Sequence, residues 1–166
     1  MTDADLAGDK PSMRSTTGSG GILRGPRTLA LVFGLCKRQG QTSLSTPESE
    51  LTALVVAGKR SFSHHMTLQR LAKRHVRLRI LSDNSAARRV SATGVSAQMS
   101  YIKRTSNISM SWCRQNLKEF IGEIETDYNF SDIWTKGLSS STFHRHRLAI
   151  GIGDLSEFEG NRDLLR

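Results

Sequence analysis

Several things are scarce in this sequence, and each scarcity excludes something. There are only two cysteines in 166 residues. Cys36 and Cys113 lie far apart and have no metal-ligand companions, which excludes a disulfide framework and a cysteine-ligated zinc site. Two free thiols in a reducing compartment are expected. No stretch approaches the ~18–20 uninterrupted apolar residues of a membrane span. The N-terminus lacks a basic region followed by an apolar one, so no secretory signal is expected there. An intracellular chain, cytoplasmic or nuclear, with no membrane partner is the resulting expectation. There is no internal repeat, and the length suits one domain with a core of its own.

Acidic residues are scarce in one place above all. Between positions 59 and 89 the chain carries Lys59, Arg60, Arg70, Lys73, Arg74, Arg77, Arg79, Arg88 and Arg89, and Asp83 is the only acid. Over the whole chain 24 Lys+Arg face 15 Asp+Glu, for a net charge of +9 and a pI near 10.3. A chain this basic points to a polyanion, nucleic acid first among them. The basic stretch has no aromatic-rich apolar face, which argues against a membrane surface.

The local patterns give an order of elements. Residues 8–20 (GDKPSMRSTTGSG) have turn chemistry. Ile22-Leu23 and Leu29 to Leu35, separated by Arg24-Gly25-Pro26-Arg27, predict a β-hairpin. Thr46 as N-cap and Pro47 in the first turn open a long helix over 47–73, weakened at Gly58. VRLRIL (76–81) alternates as a short strand, and Ser82, Asp83 or Asn84 can cap a helix over 84–92. A further helix is expected over 98–118, a strand over 123–128 and a last helix over 129–138. From Ser139 to Arg166 the serines, basic residues and glycines predict a poorly structured tail, leaving 1–138 as the domain. The order is that of an α/β fold with a mixed sheet.

Four acids fall at the borders of these elements. Asp3 is placed near the end of a first strand, Glu50 in the first turn of the long helix, Asp83 just past a strand, and Asp132 in the first turn of the last helix. Each alone has an ordinary capping explanation. Gathered at one end of a sheet, where α/β folds bind ligands, they would repel one another and be relieved by divalent metal.

Four segments carry a resemblance: TDADLAGDKPSMRSTTGS, LCKRQGQTSLSTPESELTAL, LRILSDNSAA and YNFSDIWTKGL. In order and spacing they resemble the ribonuclease H domain of copia-type retrotransposon polyproteins, over residues 2–138. The resemblance implies a ribonuclease H-like fold, a five-stranded mixed sheet (antiparallel hairpin, then parallel strands) flanked by helices. The first strand here would be truncated, because only Met1 and Thr2 precede Asp3, and the chain would be a fragment of a larger polyprotein. Implied too is an RNA–DNA hybrid endonuclease that uses two Mg²⁺ ions, with Mn²⁺ as a possible substitute. Asp3 would bridge both ions, Glu50 and Asp83 would hold one, and Asp132 would hold the ion that activates water. Asp5 and Glu48 stand beside Asp3 and Glu50 as alternatives. Arg88, Arg89, Lys59 and Arg60 become candidates for contact with the duplex. The reverse transcriptase domain of the parent polyprotein would be the partner, in a cytoplasmic virus-like particle or the nucleus. A truncated remnant that only binds nucleic acid is the alternative function, and a resolvase or integrase core a third.

The chain also departs from the family. Leu6 stands where a tryptophan is usual. Ser106-Asn107-Ile108 replaces a Lys-His-Ile, so a histidine that assists product release there has no counterpart. His64, His65, His144 and His146 are expected at the surface.

Overall fold

A computed structural model describes residues 1–159 of the chain. Three strands, β1 (Thr2–Asp9), β2 (Arg14–Gly25) and β3 (Thr28–Arg38), form an antiparallel sheet in the order β1-β2-β3. The β2–β3 hairpin turns through Pro26-Arg27 between the paired residues Gly25 and Thr28, as the sequence predicts. The glycines and serines of 14–20, which have turn chemistry in the sequence, are instead inside β2.

The reason lies on the other side of the sheet. A 3-10 segment, Phe130–Trp134, lies directly against β2 and β3. A Cβ at Gly34 would stand 2.8 Å from Trp134 Cζ2, and one at Gly18 would stand 2.7 Å from the Ser131 carbonyl oxygen. Gly20 lies under the same indole. Here glycine permits close approach and does not mark a bend. Trp134 and Phe130 then meet edge to face, 6.1 Å apart, over the glycine floor.

The long helix α1 spans Thr46–Ala72, with Ser45 as its N-cap one residue before the predicted cap, and Pro47 in its first turn. Gly58 does not interrupt it. A Cβ there would lie 2.5 Å from Leu117 Cδ2, so this glycine seats a neighbouring helix. After α1, the strand predicted over 76–81 is confined to β4 (Ile80–Ser82), which pairs in parallel with β5 (Ile121–Glu123). Between them lie α2 (Ser85–Thr93), α3 (Ile102–Ser106) and α4 (Met110–Leu117).

Several boundaries differ from the predicted ones. The helix expected over 98–118 breaks at Asn107, whose φ of 54° ends α3, and Ser109 caps α4 by accepting from the Trp112 N–H. The strand expected over 123–128 stops at Glu123 and gives way to a 3-10 turn at Thr126–Tyr128. The last helix, expected over 129–138, is the five-residue 3-10 segment. Most broadly, the five strands do not make one sheet. They divide into three antiparallel and two parallel, with β1 packed beside β4 but no ladder between them.

Two packing centres result. Leu51, Leu54, Ile80, Val90, Ile102, Cys113 and Leu117 form the larger, between α1, β4 and α2–α4. Phe130 and Trp134 over the glycine floor form the smaller. Of the tail 139–166, expected to be poorly structured, the described part forms α5 (Ser140–Ala149) and α6 (Leu155–Glu159), and residues 160–166 lie outside the described residues. Leu148 and Ile150 are buried, and His146, expected at the surface, is buried too. Arg147 joins the two helices through Glu157 at 2.7 Å. His144 is exposed as expected, and His64 and His65 are half-buried. No helix among the described residues is long and apolar enough to cross a membrane.

Candidate metal centre

Asp3, Glu50 and Asp83 come together. One ligand atom from each lies within 4.8 Å of the others, with Asp3 and Glu50 buried and Asp83 half-buried. They come from β1, the N-terminal part of α1 and the residue just past β4, three elements that pack against one another.

Asp3 is the second residue of its strand, where a position near the strand's end is predicted. The strand continues to Asp9 because β2 offers it a ladder, with Asp3 opposite Gly18. Asp3 is also clamped from before. The Met1 amino group donates to the Gly20 carbonyl at 2.7 Å, and Asn129 Nδ2 donates to the Thr2 carbonyl at 3.0 Å. The same Nδ2 donates to Asp83 Oδ1 at 3.4 Å. Asn129 is fully buried and ties β1 to the β4 end, fixing two of the acids relative to each other. The end of β4 is held by Arg88, whose Nη1 donates to the Ser82 carbonyl at 2.8 Å while Nη2 pairs with Glu123.

The two alternative acids separate cleanly. Glu48 is buried but satisfied: Oε2 accepts from the Leu44 N–H at 2.8 Å and the Tyr101 hydroxyl at 2.9 Å, and Oε1 accepts from Ser106 at 3.3 Å. It is a structural bracket for the loop before α1. Glu50 Oε2 is buried without any hydrogen-bond partner. Asp5 is half-buried and outside the cluster.

Burial pushes the Glu50 carboxyl up to about 8, with the charges of Asp3 and then Asp83 adding to it. The Ala4 N–H, which hydrogen-bonds the carboxylate, opposes the shift. In the protein alone Glu50 is therefore largely neutral at pH 7. A buried polar atom without a partner is rare and asks for an explanation. A cation held among three carboxylate oxygens supplies one.

The donor set is all hard oxygen, which suits Mg²⁺ or Mn²⁺. Oxygens sharing one Mg²⁺ lie at most ~4.2 Å apart, given bonds of ~2.1 Å. The three oxygens, within 4.8 Å of one another, are close to that span. The residues fit one ion.

Asp132 is placed differently. It is buried, and its carboxyl is pushed up to about 6 by burial and then by the charge of Asp3. Between it and Asp3 stands Lys136, whose Nζ is 3.2 Å from Asp3 Oδ1 and 3.2 Å from Asp132 Oδ1. The two carboxylates hold the ammonium in its charged form, raising its pKa despite burial. The Thr135 hydroxyl donates to the other Asp3 oxygen, Oδ2. Reading the sequence missed Asn129, Thr135 and Lys136. The available signal was their place in YNFSDIWTKGL around Asp132, with Lys136 one helical turn beyond it.

The basic candidates do not converge on the acids. Arg88 is turned inward, as described, while Arg89 is exposed one residue on. Lys59 lies over the Trp112 ring at 5.3 Å, and Arg60 over Phe33 at 5.9 Å. Two open depressions lie elsewhere. One, of about 410 Å³, is lined by Met66, Gln69, Arg70, Arg74 and His75. The other, of about 330 Å³, lies beside Arg88, Arg89, Lys118 and Glu123.

Compared with family models, with curated proteins and with solved structures, the chain has no match in any of the three.

Proposed function

We propose that the chain is a ribonuclease H-type domain of a copia-type retrotransposon polyprotein, with the ribonuclease H-like fold. It hydrolyses the RNA strand of an RNA–DNA hybrid with Mg²⁺, or Mn²⁺ in its place. The observation that carries the reading is the meeting of Asp3, Glu50 and Asp83 around a buried Glu50 oxygen that has no partner. Those three acids, and Asp132 beside them, are the ones the resemblance singles out from four separate segments of the chain. The net charge of +9 fits a polyanionic substrate. The reverse transcriptase domain of the same polyprotein is the proposed partner.

Asp3, Glu50 and Asp83 would hold a divalent ion, which supplies positive charge against phosphate oxygens and lowers the pKa of a water. Ligand carboxylates must be ionised, so Glu50 would have to give up its proton to serve as a ligand. Asp132, with its carboxyl near 6, is ionised at neutral pH and would be the group to accept a proton from an attacking water. Lys136 has an ammonium proton to spare for a phosphate oxygen once Asp3 and Asp132 have taken two of three.

The test is incubation of a labelled RNA–DNA hybrid with Mg²⁺, comparing the wild type with Asp83→Asn. Cleavage that the substitution abolishes is the expected result. Salt-sensitive binding with no cleavage by the wild type would replace the proposal with a truncated remnant that only binds nucleic acid. Cleavage surviving the substitution would overturn the site.

A further inference from the structure

We infer that Lys136 is itself the second cation of this site, so that the chain binds one divalent ion where the family resemblance implies two. The inference rests on the proposed reading of Asp3, Glu50 and Asp83 as metal ligands, and concerns the other half of the site.

A second ion would have to lie between Asp3 and Asp132. That space belongs to the Lys136 ammonium, 3.2 Å from one oxygen of each. Asp3 has little left to give a second ion. Oδ1 accepts from Lys136 and Oδ2 accepts from Thr135. A carboxylate has about four acceptor positions, so the two that remain suffice for one ion but leave a poor bridge between two. On the opposite side the capacity is open, because Glu50 Oε2 accepts nothing. The site is thus asymmetric, open toward Glu50 and already paired toward Asp132.

Lys136 is not an arbitrary surface lysine that happens to fold inward. Its backbone N–H donates to the Asp132 carbonyl at 3.0 Å, and the Thr135 N–H donates to the same carbonyl at 3.1 Å. The segment that carries it is seated by Trp134 against Gly20 and Gly34, and by Thr135 against Gly18. A side chain at any of these glycines would displace the lysine together with Asp132. The Lys136 side chain is 38% exposed, so its ammonium also reaches the solvent edge, where a phosphate would arrive. A divalent ion entering the Asp3–Asp132 gap would have to expel this ammonium or sit against a like charge.

The test counts ions. Mn²⁺ binding is followed by titration calorimetry and by electron paramagnetic resonance, at fixed pH and salt, for the wild type, Lys136→Gln and Lys136→Arg. Circular dichroism confirms that each is folded. One Mn²⁺ is expected for the wild type and for the arginine variant. Two are expected for Lys136→Gln, the second gaining at least ~tenfold in affinity. Adding Asp132→Asn to Lys136→Gln should return the count to one.

Two ions on the wild type, with affinities that Lys136→Gln leaves unchanged, would overturn the inference, as would a single ion on Lys136→Gln. A folded wild type that binds no Mn²⁺ would overturn both the inference and the metal site. Hybrid cleavage measured on the same samples separates the two ideas. Cleavage with two ions on the wild type keeps the proposed function and removes this inference. A single ion that Lys136→Gln converts to two, with no hybrid cleavage, keeps the inference and removes the proposed substrate.

Discussion

Along α1 the chain passes from one environment to its opposite. The turns from Glu48 to Gly58 are almost wholly buried and include Glu48 and Glu50, whereas no residue of the helix after Gly58 is buried. The second half carries Lys59, Arg60 and Arg70 and exposes Met66 and Leu71. The two halves treat charge in different ways. In the buried half each carboxylate has a fixed environment, and two glutamates two residues apart have different fates. Glu48 is given three donors and becomes structural, while Glu50 is left with an orphan oxygen. In the exposed half Lys59 and Arg60 lie over the Trp112 and Phe33 rings, and Arg70 is exposed. Distance matters as well. Arg70 lies 20 residues beyond Glu50, about 30 Å along a helix rising 1.5 Å per residue. That is about nine phosphates along one strand at ~3.4 Å spacing. Arg70 and Arg74 would track a backbone far from the acids and take no part at a scissile phosphate.

The largest way to sharpen this comparison is Glu50→Gln. Hybrid cleavage should fall by more than the ~10–100-fold that loss of an outer partner of a metal site produces, and thermal stabilisation by Mg²⁺ should vanish. Without metal the same change should stabilise. The Glu50 carboxyl is raised from its ordinary 4.5 to about 8 in the folded chain. Between those values the folded state holds more protons than the unfolded one. Stability contributed by this group is therefore full below about 4.5 and is lost as pH rises to about 8. The loss is on the order of a few kcal/mol. Melting curves in a chelator across that range should show the decline in the wild type and not in Glu50→Gln. The same decline in both would remove Glu50 as its source.

Glu48→Gln should act in the opposite sense. It weakens the acceptor for Leu44, Tyr101 and Ser106, and should destabilise by about 1–3 kcal/mol, read as a lower denaturant midpoint. Mn²⁺ affinity and cleavage per folded molecule should stay as in the wild type. A loss of metal binding here would mean that the roles of the two glutamates are reversed.

The smallest effects belong to the exposed half. Arg70→Gln with Arg74→Gln should change stability by no more than ~0.5 kcal/mol. If these side chains track the hybrid, the slope of log affinity against log salt should fall by ~1 for each phosphate that is no longer neutralised. An unchanged slope would place the duplex elsewhere, the exposed Arg89 and Lys118 being the next surface to test.

How legible the molecule is in its sequence depends on the range of each interaction. The long helix, predicted over 47–73, lies at Thr46–Ala72, because Pro47 and the spacing of Leu51, Leu54 and Val55 are local signals. The helix after Asp83 is legible for the same reason, with Asn84 accepting from the Ala87 N–H. β2 is not, since Gly18 and Gly20 look like turn residues until Trp134 is laid on them from more than a hundred positions away. The tail misleads likewise, its polar composition hiding the burial of His146, Leu148 and Ile150 in and just after α5. Among the acids, the sequence singles out Asp3, Glu50 and Asp83, which the fold brings together, but leaves Asp5 and Glu48 open. Burial and hydrogen bonding separate the pairs.

The sequence by itself determined the acids, the excess of positive charge and the local helix signals, because these need only residue type and short spacing. Tertiary structure alone decided three further things. It divided the five strands into two sheets, it satisfied Glu48 while leaving Glu50 unpartnered, and it set the Lys136 ammonium between Asp3 and Asp132. The last joins residues 133 positions apart. No local pattern encodes such a contact, because it exists only after a glycine floor has let the Trp134 segment settle onto the sheet.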